Sequence, residues 1–329
     1  MHRVYLSPGM FGFAELGAFG YFAHLRSALL DELKYLGLDA EVHVVDVPPT
    51  ASIRRRAARL AEAVAETSGP HDDIHLVGHS TGGLDARLVA SPSARLPTGP
   101  HTRDWIPRLR SVTTMNTPHY GTPLASFFAT KAGQQMLYAV SAFTFVALTL
   151  SAPPLTVASA LVLGVGRMDK AFGLEVDMLG RLTESLLGVL EPAKSREVRA
   201  YLDAIKGDQG AVIQLTPEAM DLFQAGVEDR AGVRYQCVVG AAPPPTALGL
   251  AKHALSPWRM LSHALFTTLY GITARYDDTY PCAAAVLAPS TERLLDEGIG
   301  RLPGARSNDG VVPVLSQVWG DVVWAGHAD

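Results

Sequence analysis

The sequence predicts an α/β fold in which a mostly parallel sheet is covered by helices on both faces. In the first third of the chain, short apolar runs alternate with stretches whose apolar residues recur at helical spacing. Similar apolar runs return in the last third, and 329 residues suit one large α/β domain that carries an insertion. Strands separated by helices of this length are typical of parallel sheets buried on both faces.

The strands and helices follow from local pattern. Apolar runs bounded by Pro or Gly predict strands, and spacings of three and four predict helices. The predicted strands are 4–6, 42–47, 74–77, 111–115, 233–239 and 322–324, and the first two predicted helices are 19–36 and 53–64. In the second helix we expect Arg54–Arg56 and Arg59 on the solvent side, since Ile53 and Leu60 form the apolar side.

The middle of the chain has a different composition. No charged residue occurs from Ala132 to Gly166, yet Pro153-Pro154 divides the run. A membrane span needs about 20 continuous apolar residues, so two short apolar helices hinged at the prolines fit better. We therefore predict that residues 125–210 form an inserted helical cap, and that 1–124 and 211–329 form the core.

Composition excludes one class of partner and leaves two questions open. Lys and Arg total 28 against 32 for Asp and Glu, a net charge of −4, which gives nucleic-acid binding no support. Cys237 and Cys282 could form one disulfide or remain two buried thiols. The N-terminus has no apolar region of the signal-peptide kind. The chain as it stands is expected to be cytoplasmic, or secreted if its N-terminus is incomplete.

A sequence motif supplies the candidate nucleophile. Gly78-His79-Ser80-Thr81-Gly82 matches G-x-S-x-G, directly after an apolar strand and directly before a helix. In the α/β-hydrolase fold this motif is a tight strand-to-helix turn that exposes the serine hydroxyl above the sheet. The alternative is an ordinary Gly-rich turn. We expect Ser80 to be a nucleophile in an α/β-hydrolase fold.

A nucleophilic serine of this kind needs two backbone donors for the oxyanion. One is expected to be the N–H of Thr81, the residue after the nucleophile. The other is expected from the loop after the first strand, where glycines flank Met10. A plain Gly/Pro turn is the alternative for that loop.

The acid is expected to follow the serine in the chain, and the base to follow the acid. Asp309 lies in the turn Asn308-Asp309-Gly310, expected just after a late strand, and is the first candidate for the acid. A simple hairpin turn is the alternative, and Asp277 and Asp278 are competing acids. The only histidine after Asp309 is His327, close to the end of the chain, where a general base is poorly anchored.

Two other histidines are expected to have structural roles. His79 lies inside the G-x-S-x-G turn, where it should orient or pack. His119 precedes the candidate acid and is expected to be a wall or core residue.

Four segments together make the sequence resemble the bacterial triacylglycerol lipases. They are Val77–Arg87, Ser111–Pro123, Gln214–Met220 and Asn308–Gly320. The resemblance implies a lipase or carboxylesterase with a mobile lid, and it assigns the nucleophile to Ser80 and the acid to Asp309. Two departures stand out. Pro8 replaces the family's usual histidine in the first loop. The family's catalytic histidine is expected immediately after Asp329, so a truncated C-terminus is the preferred interpretation.

The functional hypothesis is therefore an ester hydrolase for apolar, acylglycerol-like substrates. Ser80 would attack the ester carbonyl and form an acyl-enzyme. The uncharged stretch 132–166 would be a lid that contacts a lipid interface transiently. No cofactor is predicted, and calcium cannot be inferred from these residues. The alternatives are an acyltransferase or polyester depolymerase with the same triad, or a catalytically dead lipid-binding homologue.

Overall fold

Parallel strands form the centre of the molecule. The structure is a computed structural model that describes residues 1–10, 15–16, 19–130, 191–246, 257–275 and 287–327, with isolated positions between 133 and 188. The strands are β1 His2–Ser7, β2 Glu15–Leu16, β3 Phe19–Gly20, β4 Ala40–Val44, β5 Asp73–His79, β6 Leu109–Met115, β7 Arg234–Ala241 and β8 Asp321–His327. Six of them form one sheet in the order β4-β1-β5-β6-β7-β8, and every neighbouring pair is parallel. The α/β-hydrolase prediction is confirmed.

The strand order creates a crevice at one edge of the sheet. The chain passes from β1 to β4 on one side and then returns to β5 on the other side of β1. Because the two connections leave in opposite directions, the carboxyl ends of β1 and β5 border a crevice, where ligands of open α/β sheets bind. The turn that contains Ser80 directly follows β5.

Helices cover both faces of the sheet. They are α1 Ala23–Tyr35, α2 Ile53–Thr67, α3 Thr81–Ala90, α4 Pro123–Phe128, α5 Pro192–Gly207, α6 Gly210–Gln214, α7 Pro217–Gly226, α8 Pro257–Thr273 and α9 Pro289–Ile299, with short 3-10 turns at Ile106–Arg108 and Val314–Gln317. On one face Val4 and Leu6 pack with residues of α1. On the other face Tyr5 and Leu76 pack with α2 and α3. Alternate residues of β1 therefore serve two separate apolar layers.

The structure corrects the prediction for one arginine of α2. Arg54 and Arg55 are exposed, as expected, but Arg56 is fully buried. It lies three residues after Ile53 and four before Leu60, so it is on the apolar side of the helix, where both neighbours are buried. A buried guanidinium needs a counterion, and Asp85 of α3 provides it, 2.8 Å from Nη2.

The order and the length of the secondary-structure elements differ from the prediction at two places. Asp309 does not follow a strand directly, because α9 and a loop precede it among the described residues. The last strand is longer than predicted, since β8 continues to His327. The predicted cap, 125–210, lies mostly outside the described residues, so the division into cap and core stays a prediction. Within the described ranges, no helix has the length and hydropathy of a membrane span.

Candidate active site

Ser80 occupies a strained turn between β5 and α3. Its φ is 53° and its ψ −125°, a backbone conformation that costs a residue with a side chain on the order of 1–3 kcal/mol. The turn is held from behind, because the Ser80 N–H donates to the carbonyl of Met115 at 2.8 Å. The side chain consequently points away from the sheet and lines a cavity.

The glycines of the motif are required by close backbone contacts. A Cβ at Gly78 would lie 2.2 Å from the carbonyl of Gly82, and a Cβ at Gly82 would lie 2.1 Å from the Ser7 carbonyl oxygen. Real Cβ atoms do not approach backbone so closely, so the spacing of the motif has a direct steric cause. The same contact brings the end of β1 against the first turn of α3.

Two backbone amides lie near Ser80. Thr81 is the first residue of α3, so its N–H has no carbonyl acceptor within the helix, and the helix N-terminus favours negative charge there. Met10 lines the cavity beside Ser80. Its neighbour Gly9 approaches Ser80 so closely that a Cβ there would lie 2.9 Å from the Ser80 Cβ. Thr81 and Met10, the two residues predicted as oxyanion donors, therefore both lie beside the serine, and their role as donors stays a prediction.

The loop that bears Gly9 and Met10 is tied to the protein interior by Arg56. The Nη2 of Arg56 donates to the carbonyl of Pro8. Asp85, the counterion of Arg56, also accepts from the Ser7 hydroxyl at 3.1 Å. Burial raises the pKa of Asp85 to about 6, while Arg56 and Ser7 oppose that shift. Sequence reasoning missed this pair. The position of Arg56 on the apolar side of the helix was the feature of the sequence that could have indicated the pair.

Asp309 is held by four neutral N–H donors. The amides of Val311 and Val312 donate to Oδ1 at 2.9 and 2.8 Å. Asn116 Nδ2 and Gln317 Nε2 donate to Oδ2 at 2.8 and 3.2 Å. Burial raises the pKa of Asp309, and these hydrogen bonds lower it in part. An acceptor with four donors suits an ionised carboxylate.

Asp309 and Ser80 line one cavity of about 470 Å³. The polar end is formed by these two residues with Asn116, Tyr21 and His79. The rest of the wall is apolar and consists mainly of Met10, Leu124, Ala125, Phe128, Leu137, Leu215, Leu269, Val311 and Val312. Such a cavity can hold an apolar chain with its polar group next to the serine.

Known proteins are similar to this chain in sequence and in fold. Two curated triacylglycerol lipases, from Pseudarthrobacter phenanthrenivorans and Burkholderia plantarii, are each 25% identical over 76% of this chain. The chain spans 62% and 55% of their respective lengths. No family model matches the sequence.

Solved structures agree at the level of fold. Lipase 1 from Pelosinus fermentans covers the whole chain with a TM-score of 0.52 at 15% identity, and the chain covers 91% of that structure. EstA from Clostridium botulinum covers 99% of the chain with a TM-score of 0.50 at 16% identity, and the chain covers 80% of it. The chain is therefore similar to bacterial lipases and esterases in sequence and in fold.

Two histidines near the site, His79 and His119, are held inside the protein by hydrogen bonds. His79 Nδ1 is 2.7 Å from the Tyr21 hydroxyl, and burial lowers the His79 pKa to about 4. His119 is fully buried and hydrogen-bonds Thr114 and Arg87, and its pKa lies well below the usual value for the same reason. Both imidazoles are therefore neutral at pH 7, in agreement with the structural roles predicted for them.

His327 lies at the end of β8, outside the wall of the cavity. Its ring nitrogens are 3.4 and 3.0 Å from the carbonyl oxygens of Ala241 and Ile299. Among the described residues, His79 is the only histidine in the cavity wall, and its ring is hydrogen-bonded to Tyr21. The competing acids Asp277 and Asp278 lie outside the described residues.

Two more residues of the site were missed by sequence reasoning. Asn116 and Gln317 both contact the Asp309 carboxylate, although Asn116 follows β6 and Gln317 ends the 3-10 turn before β8. Asn116 has a φ of 48°, which asparagine tolerates better than most residues. This backbone conformation at the end of β6 marks Asn116 as unusual, but it cannot be read from the sequence.

The remaining candidates for special chemistry are few. Cys237 is a free, buried thiol in β7, and burial raises its pKa to about 11. Cys282 lies outside the described residues. Over the described part of the chain, no group of three or more His, Cys, Asp or Glu side chains is arranged to hold a metal ion.

Proposed function

We propose that this chain is a serine hydrolase of carboxylic esters, with Ser80 as nucleophile and Asp309 as the acid. One observation carries the proposal. Ser80 lies on a strained turn at a helix N-terminus, and it shares a cavity with the Asp309 carboxylate, which four neutral donors hold. The curated relatives, which are named triacylglycerol lipases, support the same class of reaction.

The reaction would proceed through an acyl-enzyme. The Ser80 oxygen attacks the ester carbonyl and passes its proton to an imidazole, which returns it to the departing alcohol as the ester C–O bond breaks. Water then attacks the acyl group by the same route and releases the acid. The Thr81 and Met10 amides would donate to the oxyanion of each tetrahedral intermediate.

The surroundings of Asp309 suit the role of the acid, which is to stabilise a positively charged imidazole. Because its four partners are neutral, its negative charge remains uncompensated and would stabilise an imidazolium that forms next to it. The proposal requires such an imidazole between Asp309 and Ser80.

The apolar wall supports an acylglycerol-like substrate. Leu124, Phe128 and Leu215 would surround the acyl chain, and the polar end of the cavity would hold the ester. Leu137 belongs to the uncharged stretch 132–166 and lines the same cavity. This contact supports the proposal that the stretch acts as a lid, which would contact a lipid interface through its apolar side.

The first experiment measures hydrolysis of short- and long-chain p-nitrophenyl esters by the chain and by Ser80→Ala. We expect turnover to fall by about six orders of magnitude in the variant, and Ser27→Ala, on the exposed side of α1, to keep full activity. Turnover that survives in Ser80→Ala would rule out this nucleophile. A folded wild-type chain that binds lipid vesicles without turnover would support the non-catalytic alternative. Added alcohols would reveal an acyltransferase as transferred product.

A further inference from the structure

A second cavity, of about 370 Å³, lies on the other side of the Asp309 turn. Arg301, Arg306 and Ser307 form its polar part, and Tyr270, Ala274 and Leu302 form most of its apolar part. None of these residues lines the cavity of Ser80. The two cavities are therefore separate sites.

Two positive charges of this second cavity have no counterion in the part of the chain that the structure describes. Among the residues that the structure describes, no carboxylate forms an ion pair with the guanidinium of Arg301 or of Arg306. Other arginines of the chain, such as Arg55 and Arg110, have a carboxylate oxygen at 2.6 Å. Two like charges that border one cavity attract an anion. Guanidinium groups in addition match the geometry of carboxylate and phosphate oxygens.

The cavity is also fixed in shape. The turn 304–307 is closed twice, since the Ser307 N–H donates to the Gly304 carbonyl at 2.9 Å and the Gly304 N–H donates to Ser307 Oγ at 3.2 Å. The Ser307 hydroxyl still has its own proton to donate. Tyr270 is buried, so its ring forms a firm wall. The turn and the Tyr270 ring would therefore keep their arrangement when a ligand binds.

We propose that this cavity binds an amphiphilic carboxylate. The carboxylate lies between Arg301 and Arg306 and accepts from the Ser307 hydroxyl. The first carbons of the apolar chain pack against Tyr270, Ala274 and Leu302. Leu302 is 52% exposed, and a bound apolar chain would cover part of its side chain.

Hydrogen bonds of Asn308 connect the second cavity to the turn that contains Asp309. Asn308 is fully buried, and its Nδ2 donates to the carbonyls of Arg306 and Tyr270 at 3.0 and 3.4 Å. Its Oδ1 accepts from the Gly310 N–H at 2.8 Å. One side chain thus joins the wall of the second cavity to both sides of Asp309. A bound anion would contact the same segment that carries the candidate acid.

The test compares octanoate with octanamide by titration calorimetry. The two molecules have the same shape, but only octanoate is charged, so simple apolar binding at either cavity would not distinguish them. We expect octanoate to bind about tenfold more tightly, because charge-assisted hydrogen bonds are stronger than neutral ones. The ratio should fall to near one in the double variant Arg301→Ala/Arg306→Ala. Inorganic phosphate, which has no chain, should displace octanoate only weakly.

Matched variants make the result specific. Arg293→Ala removes an exposed charge from α9 outside the cavity, and it should keep the tenfold ratio. Ser80→Ala should keep it as well, so a failure of the proposed hydrolysis would leave this result unaffected. An unchanged ratio in the double variant, with the fold verified by circular dichroism, would overturn the proposal. So would tighter binding of phosphate than of octanoate.

Discussion

Two carboxylates, the fully buried Asp85 and the half-buried Asp309, have opposite surroundings. The carboxylate of Asp85 lies against the guanidinium of Arg56, with both side chains fully buried. That of Asp309 accepts four hydrogen bonds from neutral amides, and it lines the cavity of Ser80. Burial raises the pKa of both. Only one of the two charges is neutralised inside the protein.

The different partners of the two carboxylates predict different roles, with Asp85 supporting the fold and Asp309 supporting the reaction. A buried ion pair satisfies its own charges, so Asp85 can hold Arg56 and, through it, the Pro8 carbonyl. A carboxylate with neutral partners keeps its charge for a cation that forms beside it. Exchange of each carboxylate for its neutral amide should thus affect folding in one case and turnover in the other.

Asp309→Asn should have the largest effect, and on turnover. We expect kcat for an ester to fall about four orders of magnitude, since an amide cannot stabilise an imidazolium. The free energy of unfolding should fall by about 2 kcal/mol, because the shape is kept but an amide nitrogen cannot accept two of the four hydrogen bonds. Kinetics and urea unfolding measure the two effects. Full activity in this variant would exclude Asp309 as the acid.

Asp85→Asn should act mainly on stability. The guanidinium of Arg56 would remain buried without its counterion, and loss of one partner of a buried pair costs about 3–5 kcal/mol. Urea unfolding measures the loss. The double variant Arg56→Met/Asp85→Leu is the control, since it leaves no buried charge and should recover much of the stability. A loss below about 1 kcal/mol in Asp85→Asn would mean that the pair is not buried in solution.

The buried His79 should add a smaller, pH-dependent effect. Its pKa of about 4 in the folded chain lies below an unfolded value of about 6.5. The folded state therefore holds fewer protons between these values, so its stability is present above pH 6.5 and is lost as the pH falls towards 4. From pH 7 to pH 5 this costs about 2 kcal/mol.

Comparison of variants isolates the contribution of His79. The raised pKa values of Asp85 and Asp309 act in the opposite direction, but they cancel when wild type and His79→Gln are compared at both pH values. The variant should lose about 2 kcal/mol less on acidification, whereas His71→Gln, at an exposed position, should behave as wild type. Equal losses in all three chains would show that His79 is not buried as a neutral ring.

Local signals in the sequence predicted the frame of the site. Apolar periodicity predicted the order of strands and helices, and the Gly78 and Gly82 spacing predicted the turn at Ser80, because both depend on neighbours in the chain. The Ser-Asn-Asp-Gly turn was visible for the same reason. A turn records its own geometry in its residues.

Contacts between distant residues could not be predicted in this way. Arg56 and Asp85 are 29 positions apart, and Asn116 and Asp309 are 193 apart. Arg56 was misplaced because a charge run on a helix usually indicates a solvated side, and only the packing of α2 against α3 shows its burial. Partners of a buried polar group depend on the tertiary fold, which no local pattern encodes.

Asn116→Gly tests the smallest part of the comparison, a single neutral donor to Asp309. Glycine accepts the φ of 48° without strain, so the change removes the amide and keeps the backbone. Since the Asn116 hydrogen bond lowers the pKa of Asp309, its loss should raise that pKa and move the acidic limit of the kcat profile to higher pH. We expect kcat to fall about tenfold, as for one hydrogen bond to a charged group. A lower kcat with an unmoved acidic limit would mean that Asn116 supports the fold around β6 and does not tune the carboxylate.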